Sequence, residues 1–303
     1  MRIALTLGDP RGIGPEITRK ALGDPRVVAL GATWVVIGPT GTEQPANVVV
    51  GDWIAPRGND EDDEAARRAG ALAGRAVERA TAMALRGDVQ AIVTAPLDKA
   101  ALYAGGYDYP GHTEMLGALA GCRTIMMLAS DRLRVVLATT HIALANVHAA
   151  LTHDVIVHTA LATRRGLRDC FGIAQPRIAL CALNPHGGDG GRFGDDDERL
   201  LAPAARAAAI SGPFPADTVF VRAMRGEFDA VIAPYHDVGM TAIKVASFGS
   251  AVNVTLGLPF VRTSPDHGTA RDIAGTGVAS AESMIAAMVM AATMASRAEN
   301  TGN

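Results

Sequence analysis

Aromatic residues are scarce, only 4% of the 303 residues. A core must therefore be built from Ala, Val, Leu, Ile and Met, which suits helices packed closely on a sheet. There is no basic excess. Lys and Arg number 28 against 31 Asp and Glu, a net charge of −3, so nothing is on hand to neutralise a phosphate backbone and a nucleic-acid partner is excluded. Cysteine is rare too. Cys122, Cys170 and Cys181 are widely spaced, odd in number and form no CxxC, so they read as reduced core thiols of a cytosolic protein. Long apolar runs are missing. The weakly polar stretch Met284–Ala295 falls short of the ~18 residues a spanning helix needs. The N-terminal run MRIALTL breaks at Gly8 and reads as a first strand, not a leader. A soluble, cytoplasmic protein with no membrane partner is expected.

What is present is an ordinary globular balance, 49% hydrophobic and 19% charged, over a length that suggests two lobes of about 150 residues. Short apolar runs at Arg2–Leu7, Thr33–Ile37, Ala91–Thr94, Val135–Thr139, Arg177–Ala182 and Ala230–Ala233 read as buried strands. Helical patterns fall at Ile17–Leu22, Asp63–Arg86, Thr113–Leu119, Val155–Cys170, Asp195–Ile210 and Ala281–Ala295. Strand and helix in alternation predict βαβ units around a mostly parallel sheet. Glu61, Asp62, Asp63 and Glu64 place acid at the start of a long helix, where the helix dipole favours it. The segment Gly38–Asp62 reads as an irregular surface loop.

Ligands of open parallel sheets bind beyond the carboxyl ends of strands. Five of the six runs are followed by a chemically loaded segment: Gly8–Glu16, Pro96–Lys99, Thr140-His141, Asn184–Gly188 and Tyr235–Asp237. His141, His186 and His236 thus stand beyond three separate strand ends. Three imidazoles converging there suit a divalent metal with a coordination position left for substrate. Taken singly, each would more often cap a strand or bond a carbonyl. His148, His153 and His158 fall in the following helical region and read as surface residues. His112, in Gly111-His112-Thr113-Glu114, opens a helix, where the loop either receives an anion or is merely capped by Thr113. No GxGxxG follows a strand and Gly187–Gly191 lacks a P-loop ending, so neither a common dinucleotide fold nor an NTPase is supported.

The motifs in combination resemble the 4-hydroxythreonine-4-phosphate dehydrogenase family of pyridoxal phosphate biosynthesis. They are Gly8-Asp9-Pro10 with Gly12–Glu16, Thr94-Ala95-Pro96 with Lys99, Gly111–Glu114, Thr140-His141, Asn184-Pro185-His186, Pro215–Thr218, Tyr235–Asp237 and Asn253–Ser264. The resemblance implies metal binding by His141, His186 and His236. It also implies substrate contacts from His112, Thr113, Lys244, Asn253 and Arg262. The apolar residues preceding Lys244 and Arg262 argue against two idle surface charges, and both cations suit a phosphate. Lys99 is the candidate for proton transfer, with His112 as runner-up. Gly8–Glu16 and His267–Gly275 are similar to paired loops of isocitrate and isopropylmalate dehydrogenases. That similarity implies NAD binding by Gly12, Gly14, His267, Gly268, Thr269, Ala270 and Asp272. An acid at Asp272 favours NAD, with NADP as the alternative. Arg11 stands where the family commonly has a small residue.

The implied fold is α/β, two α/β/α lobes with mostly parallel sheets and an active-site cleft between them, as in isocitrate and isopropylmalate dehydrogenases. Residues 1–98 with 270–303 would form the first lobe and 99–269 the second. The implied reaction is metal-dependent oxidation of the 3-hydroxyl of 4-phosphooxy-L-threonine, followed by decarboxylation. The metal would be one divalent ion per site, Zn first, then Mg or Co, in a homodimer with the site at the interface. Relatives oxidise phosphorylated four-carbon sugar acids (phospho-D-threonate, phospho-D-erythronate) or an aromatic cis-dihydrodiol dicarboxylate. Two other classes would use parts of this set. A zinc hydrolase would need a base such as Asp237 and no His267 loop. A sugar-phosphate binding protein would need Lys244, Asn253 and Arg262 but not the histidines.

Overall fold

The computed structural model describes residues 1–55, 63–247 and 250–301. The elements begin with β1 (Arg2–Thr6), α1 (Gly14–Leu22), α2 (Pro25–Val28), β2 (Thr33–Thr40), β3 (Val48–Asp52), α3 (Asp63–Leu85), β4 (Ala91–Thr94), α4 (Lys99–Ala104) and α5 (His112–Ala120). Next come β5 (Ile125–Ala129), β6 (Arg134–Leu137), α6 (Leu144–Ala150), α7 (His153–Asp169), β7 (Ile178–Cys181), α8 (Ala202–Ala207), β8 (Ser211–Phe214), α9 (Ala216–Met224), β9 (Ala230–Ala233) and α10 (His236–Ser247). The last are β10 (Val252–Leu256), β11 (Val261–Pro265) and α11 (Glu282–Thr301).

The chain divides into two compact units, Met1–Thr124 with Leu258–Asn303, and Ile125–Gly257. Residues 99–124 and 258–269 fall in the first unit, whereas the resemblance implied the second lobe. The cause is packing: α4 and α5 rest on α3, and β11 pairs parallel with β4, Val261 opposite Ala91.

In the first unit the strand order is β3-β2-β1-β4-β11, with β1, β2, β4 and β11 pairing in parallel. Side chains alternate across a strand, so neighbours along it feed opposite faces. Ala4, Val35, Ile37 and Ile92 pack with Ala76 and Val77 of α3, Leu102 of α4, and Met115 and Leu116 of α5. Thr263, opposite Val93 on the other face, donates its hydroxyl to the Ala287 carbonyl of α11 at 2.8 Å. The unit is thus α/β/α. Small residues on α3, buried at Ala65, Ala69, Ala73, Ala76 and Ala80, let the helix lie close to the sheet, as the scarcity of aromatics requires.

In the second unit the order is β10-β5-β6-β9-β7-β8. Strands β6, β9 and β7 are neighbours and parallel, while β5 runs antiparallel to both β6 and β10. Leu128, Val135, Leu137, Cys181 and Val231 pack with Val219 and Phe220 of α9 and Ile243 of α10. Helix α7 covers the opposite face. Of the cysteines only Cys181 is a core residue; Cys122 and Cys170 are half-buried. Among the described residues no helix is long and apolar enough to cross a membrane.

Two expectations need correction. The segment after Ile37 is not wholly irregular: β2 runs on to Thr40, and the valine run from Val48 forms an edge strand beside it, Ile37 opposite Val48. Asp195–Ile210 is helical over Asp197–Ala207, but not regular throughout. Pro203 has no N–H for the ladder, and the chain makes a widened π-type turn at Asp197–Leu201 before α8 begins. The expected acids Glu61 and Asp62 lie outside the described residues, and Asp63 and Glu64 occupy the first turn of α3.

Candidate active site

The two loops expected to pair do meet in the first unit. Ile13 donates its N–H to the Thr269 carbonyl at 2.9 Å. Gly12 makes this approach possible, since a Cβ there would lie 2.7 Å from the Thr269 carbonyl oxygen and 2.8 Å from its Cβ. A Cβ at Gly14 would lie 2.2 Å from the Leu7 carbonyl oxygen. Ala270 takes a left-handed conformation, φ +41°, and Asp272 is exposed on the short 3₁₀ turn that follows. His267 and Gly268 are exposed as well, with Thr269 and Ala270 partly so. The Arg11 charge is not loose in this loop. Its guanidinium donates to both carboxylate oxygens of buried Asp9, at 3.1 and 2.7 Å.

A second cluster in the same unit gathers Thr94, Lys99, His112, Glu114 and Arg262. Arg262, on β11, is only 2% exposed, and its Nη2 donates to Thr94 Oγ1 on neighbouring β4 at 2.6 Å. Burial pulls the Arg262 pKa down to about 10 while Glu114 pulls it up, so the guanidinium stays charged at neutral pH. His112 opens α5. Its Nε2 is enclosed and finds no hydrogen-bond partner among the described residues. Burial, Arg262 and Lys99 push its pKa well below the usual imidazole range, so the ring is neutral. Lys99 is exposed at the first turn of α4, whose N-cap Asp98 accepts the Ala101 N–H at 2.8 Å. The Lys99 side chain passes over Gly111, the residue before His112. Thr113, half-buried on α5, adjoins this group.

The second unit carries the three strand-end histidines. Because β6 and β9 are parallel neighbours, the segments leaving them emerge side by side. Ala138 N–H reaches the Ala233 carbonyl, and the Thr139 hydroxyl reaches the Pro234 carbonyl at 2.8 Å. This brings the His141 and His236 rings to 5.6 Å between centroids. They line a cavity of about 170 Å³ with Thr139, Thr140, Tyr235 and Asp237. His236 Nδ1 lies 2.7 Å from Asp237 Oδ1, so the tautomer with the proton on Nδ1 leaves the Nε2 lone pair for a ligand. His186 leaves β7, on the other side of β9, and its ring stands 6.4 Å from that of Phe193. Among the described residues of this single chain, no three His, Cys, Asp or Glu side chains are gathered tightly enough to hold a metal ion. The donor chemistry of His141 and His236 fits a divalent ion; His186 is not brought to them. Lys244 is exposed, unlike Arg262, two turns along α10 on the face that carries His236. Asn253 on β10 has a buried Oδ1 with no hydrogen-bond partner among the described residues.

Residues 40–291 match the family described as pyridoxal phosphate biosynthetic protein PdxA. The chain belongs to the PdxA family. A 4-hydroxythreonine-4-phosphate dehydrogenase of Desulfosudis oleivorans is 44% identical over 321 residues, covering 95% of this chain and 94% of that protein. A D-threonate 4-phosphate dehydrogenase of Salmonella typhimurium is 42% identical, covering 97% and 98%. The solved structure of a 4-hydroxythreonine-4-phosphate dehydrogenase from Klebsiella pneumoniae superposes with a TM-score of 0.82 at 39% identity, covering 97% of this chain and 98% of that one. The chain is a dehydrogenase of the PdxA family.

Several residues of this PdxA chain escaped the sequence pattern. Thr94 sits inside a recognised motif, but only the β4–β11 pairing shows that it holds Arg262. Glu16, 1% exposed, accepts from Lys20 Nζ at 2.8 Å and from the Ala279 N–H at 3.0 Å. Lys20 in turn donates to the Gly277 and Ala279 carbonyls, joining α1 to the segment just past the His267 loop. The two stand at i, i+4 on α1, but nothing in the sequence shows their link across more than 250 residues. Three histidines were expected at the surface. His148 and His153 are exposed, whereas His158 is half-buried with an enclosed Nε2.

Proposed function

We propose that this chain catalyses the NAD-dependent, divalent-metal-dependent oxidation of 4-phosphooxy-L-threonine at its 3-hydroxyl. The 3-oxo acid then loses carbon dioxide to give 3-amino-2-oxopropyl phosphate. The observation that carries the proposal is the buried, charged Arg262 beside the neutral, enclosed His112. A cation kept out of water suits a phosphate, which offers acceptors and charge together. Arg262, Lys244 and Asn253 would bind the phosphorylated substrate, with His112 and Thr113.

His141, His186 and His236 would hold the metal, and Gly12, Gly14 and residues His267–Ala270 with Asp272 would hold the cofactor. When bound, the metal supplies a Lewis acid to the hydroxyl oxygen and NAD⁺ accepts the hydride. Lys99, in its neutral amine form, would take the hydroxyl proton. His112 is the poorer acceptor, because burial and the neighbouring Arg262 guanidinium disfavour its protonated form. It serves instead as a neutral hydrogen-bonding partner that orients the substrate. Decarboxylation follows because the new carbonyl, β to the carboxylate, receives the electron pair of the breaking bond. Asp272, exposed on its turn, would accept the ribose hydroxyls and repel a 2′-phosphate, so NAD is preferred to NADP. A homodimer is part of the proposal. Ile142, Leu144 and Phe193 are 43%, 69% and 47% exposed and flank His141 and His186, an apolar fringe suited to a second copy of the chain. We place the enzyme in the cytoplasm.

A second activity has its own support. The D-threonate 4-phosphate dehydrogenase is nearly as similar as the 4-hydroxythreonine-4-phosphate enzyme, 42% against 44% identity. The test is NADH formation by the purified protein with 4-phosphooxy-L-threonine, phospho-D-threonate and phospho-D-erythronate side by side. The highest kcat/KM is expected with the first. A clear preference for phospho-D-threonate would transfer the assignment to sugar-acid catabolism.

A further inference from the structure

The turn that follows β7 is left-handed at two non-glycine residues, and the chain entering it is bonded by two aspartates that no role has yet claimed. His186 has φ +55° and Asp189 φ +45°, a left-handed region that is uncommon for non-glycine residues and that Asp and His reach more readily than most. The chain entering this turn is fixed by Asp197, 2% exposed, whose two carboxylate oxygens accept the N–H of Leu183 at 2.8 Å and of Asn184 at 2.9 Å. One residue earlier, Asp196 accepts from Asn184 Nδ2 at 3.1 Å. Its other oxygen lies 2.7 Å from His148 Nε2. His148 belongs to α6, which starts three residues after His141. Asp197 also opens the π-type turn, a departure from regular helix that recurs at functional sites.

We propose that Asp197 and Asp196 are positioning residues for His186. Asp197 fixes the backbone that enters the His186 turn, and Asp196 ties that turn, through His148, to the segment carrying His141. The inference rests on His141, His186 and His236 being metal ligands. A carboxylate is required at Asp197 because it must accept two N–H groups at once. An amide has one acceptor oxygen and would turn its own N–H₂ toward the second donor.

Co²⁺ titration of the full-length, metal-free protein tests this, read by the visible absorption of the bound ion. Asp197→Asn and Asp196→Asn should each weaken Co²⁺ binding by roughly tenfold or more and alter the band shape, the scale seen when the support of a metal ligand is removed. Far-UV circular dichroism and NAD affinity should stay at parent values, which a general loss of structure would not allow. If Asp197→Asn does not fold, Asp196→Asn carries the same readout through the Asn184 side chain. Parent-like Co²⁺ affinity and spectrum in both variants, alongside loss in His186→Ala, would overturn the positioning role alone. Parent-like Co²⁺ binding in His186→Ala would overturn the metal assignment and the positioning role with it.

Discussion

Arg262 shows how much one residue's meaning depends on its neighbours. In sequence it is an arginine after an apolar run; in the fold it is a buried cation fixed by Thr94 and held against His112. A charged hydrogen bond to phosphate is worth ~1.5–3 kcal/mol, roughly ten- to a hundredfold in binding. Arg262→Ala should therefore cost about that factor in kcat/KM with 4-phosphooxy-L-threonine and very little with unphosphorylated 4-hydroxythreonine. An equal loss with both substrates would mean that Arg262 supports the fold instead. His112 makes a separate prediction about pH. Its folded pKa lies well below the usual range, so the unfolded chain binds a proton that the folded chain refuses. Stability then rises with pH up to the ordinary imidazole pKa of about 6.5 and falls below it, by up to ~1.4 kcal/mol per pH unit. His112→Gln should flatten this part of the decline in Tm between about pH 6.5 and 5. Parallel Tm curves for the two proteins would contradict it.

Individual elements differed in how plainly the sequence announced them. Buried parallel strands such as Ala91–Thr94 and Ala230–Ala233 are short apolar runs and were legible to the residue. Strands β8, β10 and β11 were not, because Gly212, Pro213, Asn253, Arg262 and Pro265 interrupt any simple apolar pattern. Their pairing partners define them. The same holds for the site. That β6, β9 and β7 are adjacent and parallel explains why their trailing histidines were worth grouping, yet only His141 and His236 come together in one chain. At this scale the contact of Gly12 with Thr269 yields a test. A methyl group at Gly12 must displace the His267 loop, and overpacking of this kind typically costs ~1–3 kcal/mol. Gly12→Ala should raise the KM for NAD severalfold while Co²⁺ affinity stays unchanged. An unaltered KM for NAD would detach this loop from the cofactor.

For the whole molecule, the two units divide the proposed chemistry. The proposed cofactor loops and the buried Arg262 and His112 lie in the first, and the three histidines with Lys244 and Asn253 lie in the second. Turnover on this proposal requires residues of both units and a metal. The most direct measurement is NADH formation from 4-phosphooxy-L-threonine by the purified protein, before chelation, after exhaustive chelation, and after return of Zn²⁺ or Co²⁺. Turnover, its loss on chelation and its recovery with metal are the expected results. Full turnover in the metal-free protein, or no NADH from any phosphorylated four-carbon hydroxy acid with metal present, would contradict the proposal.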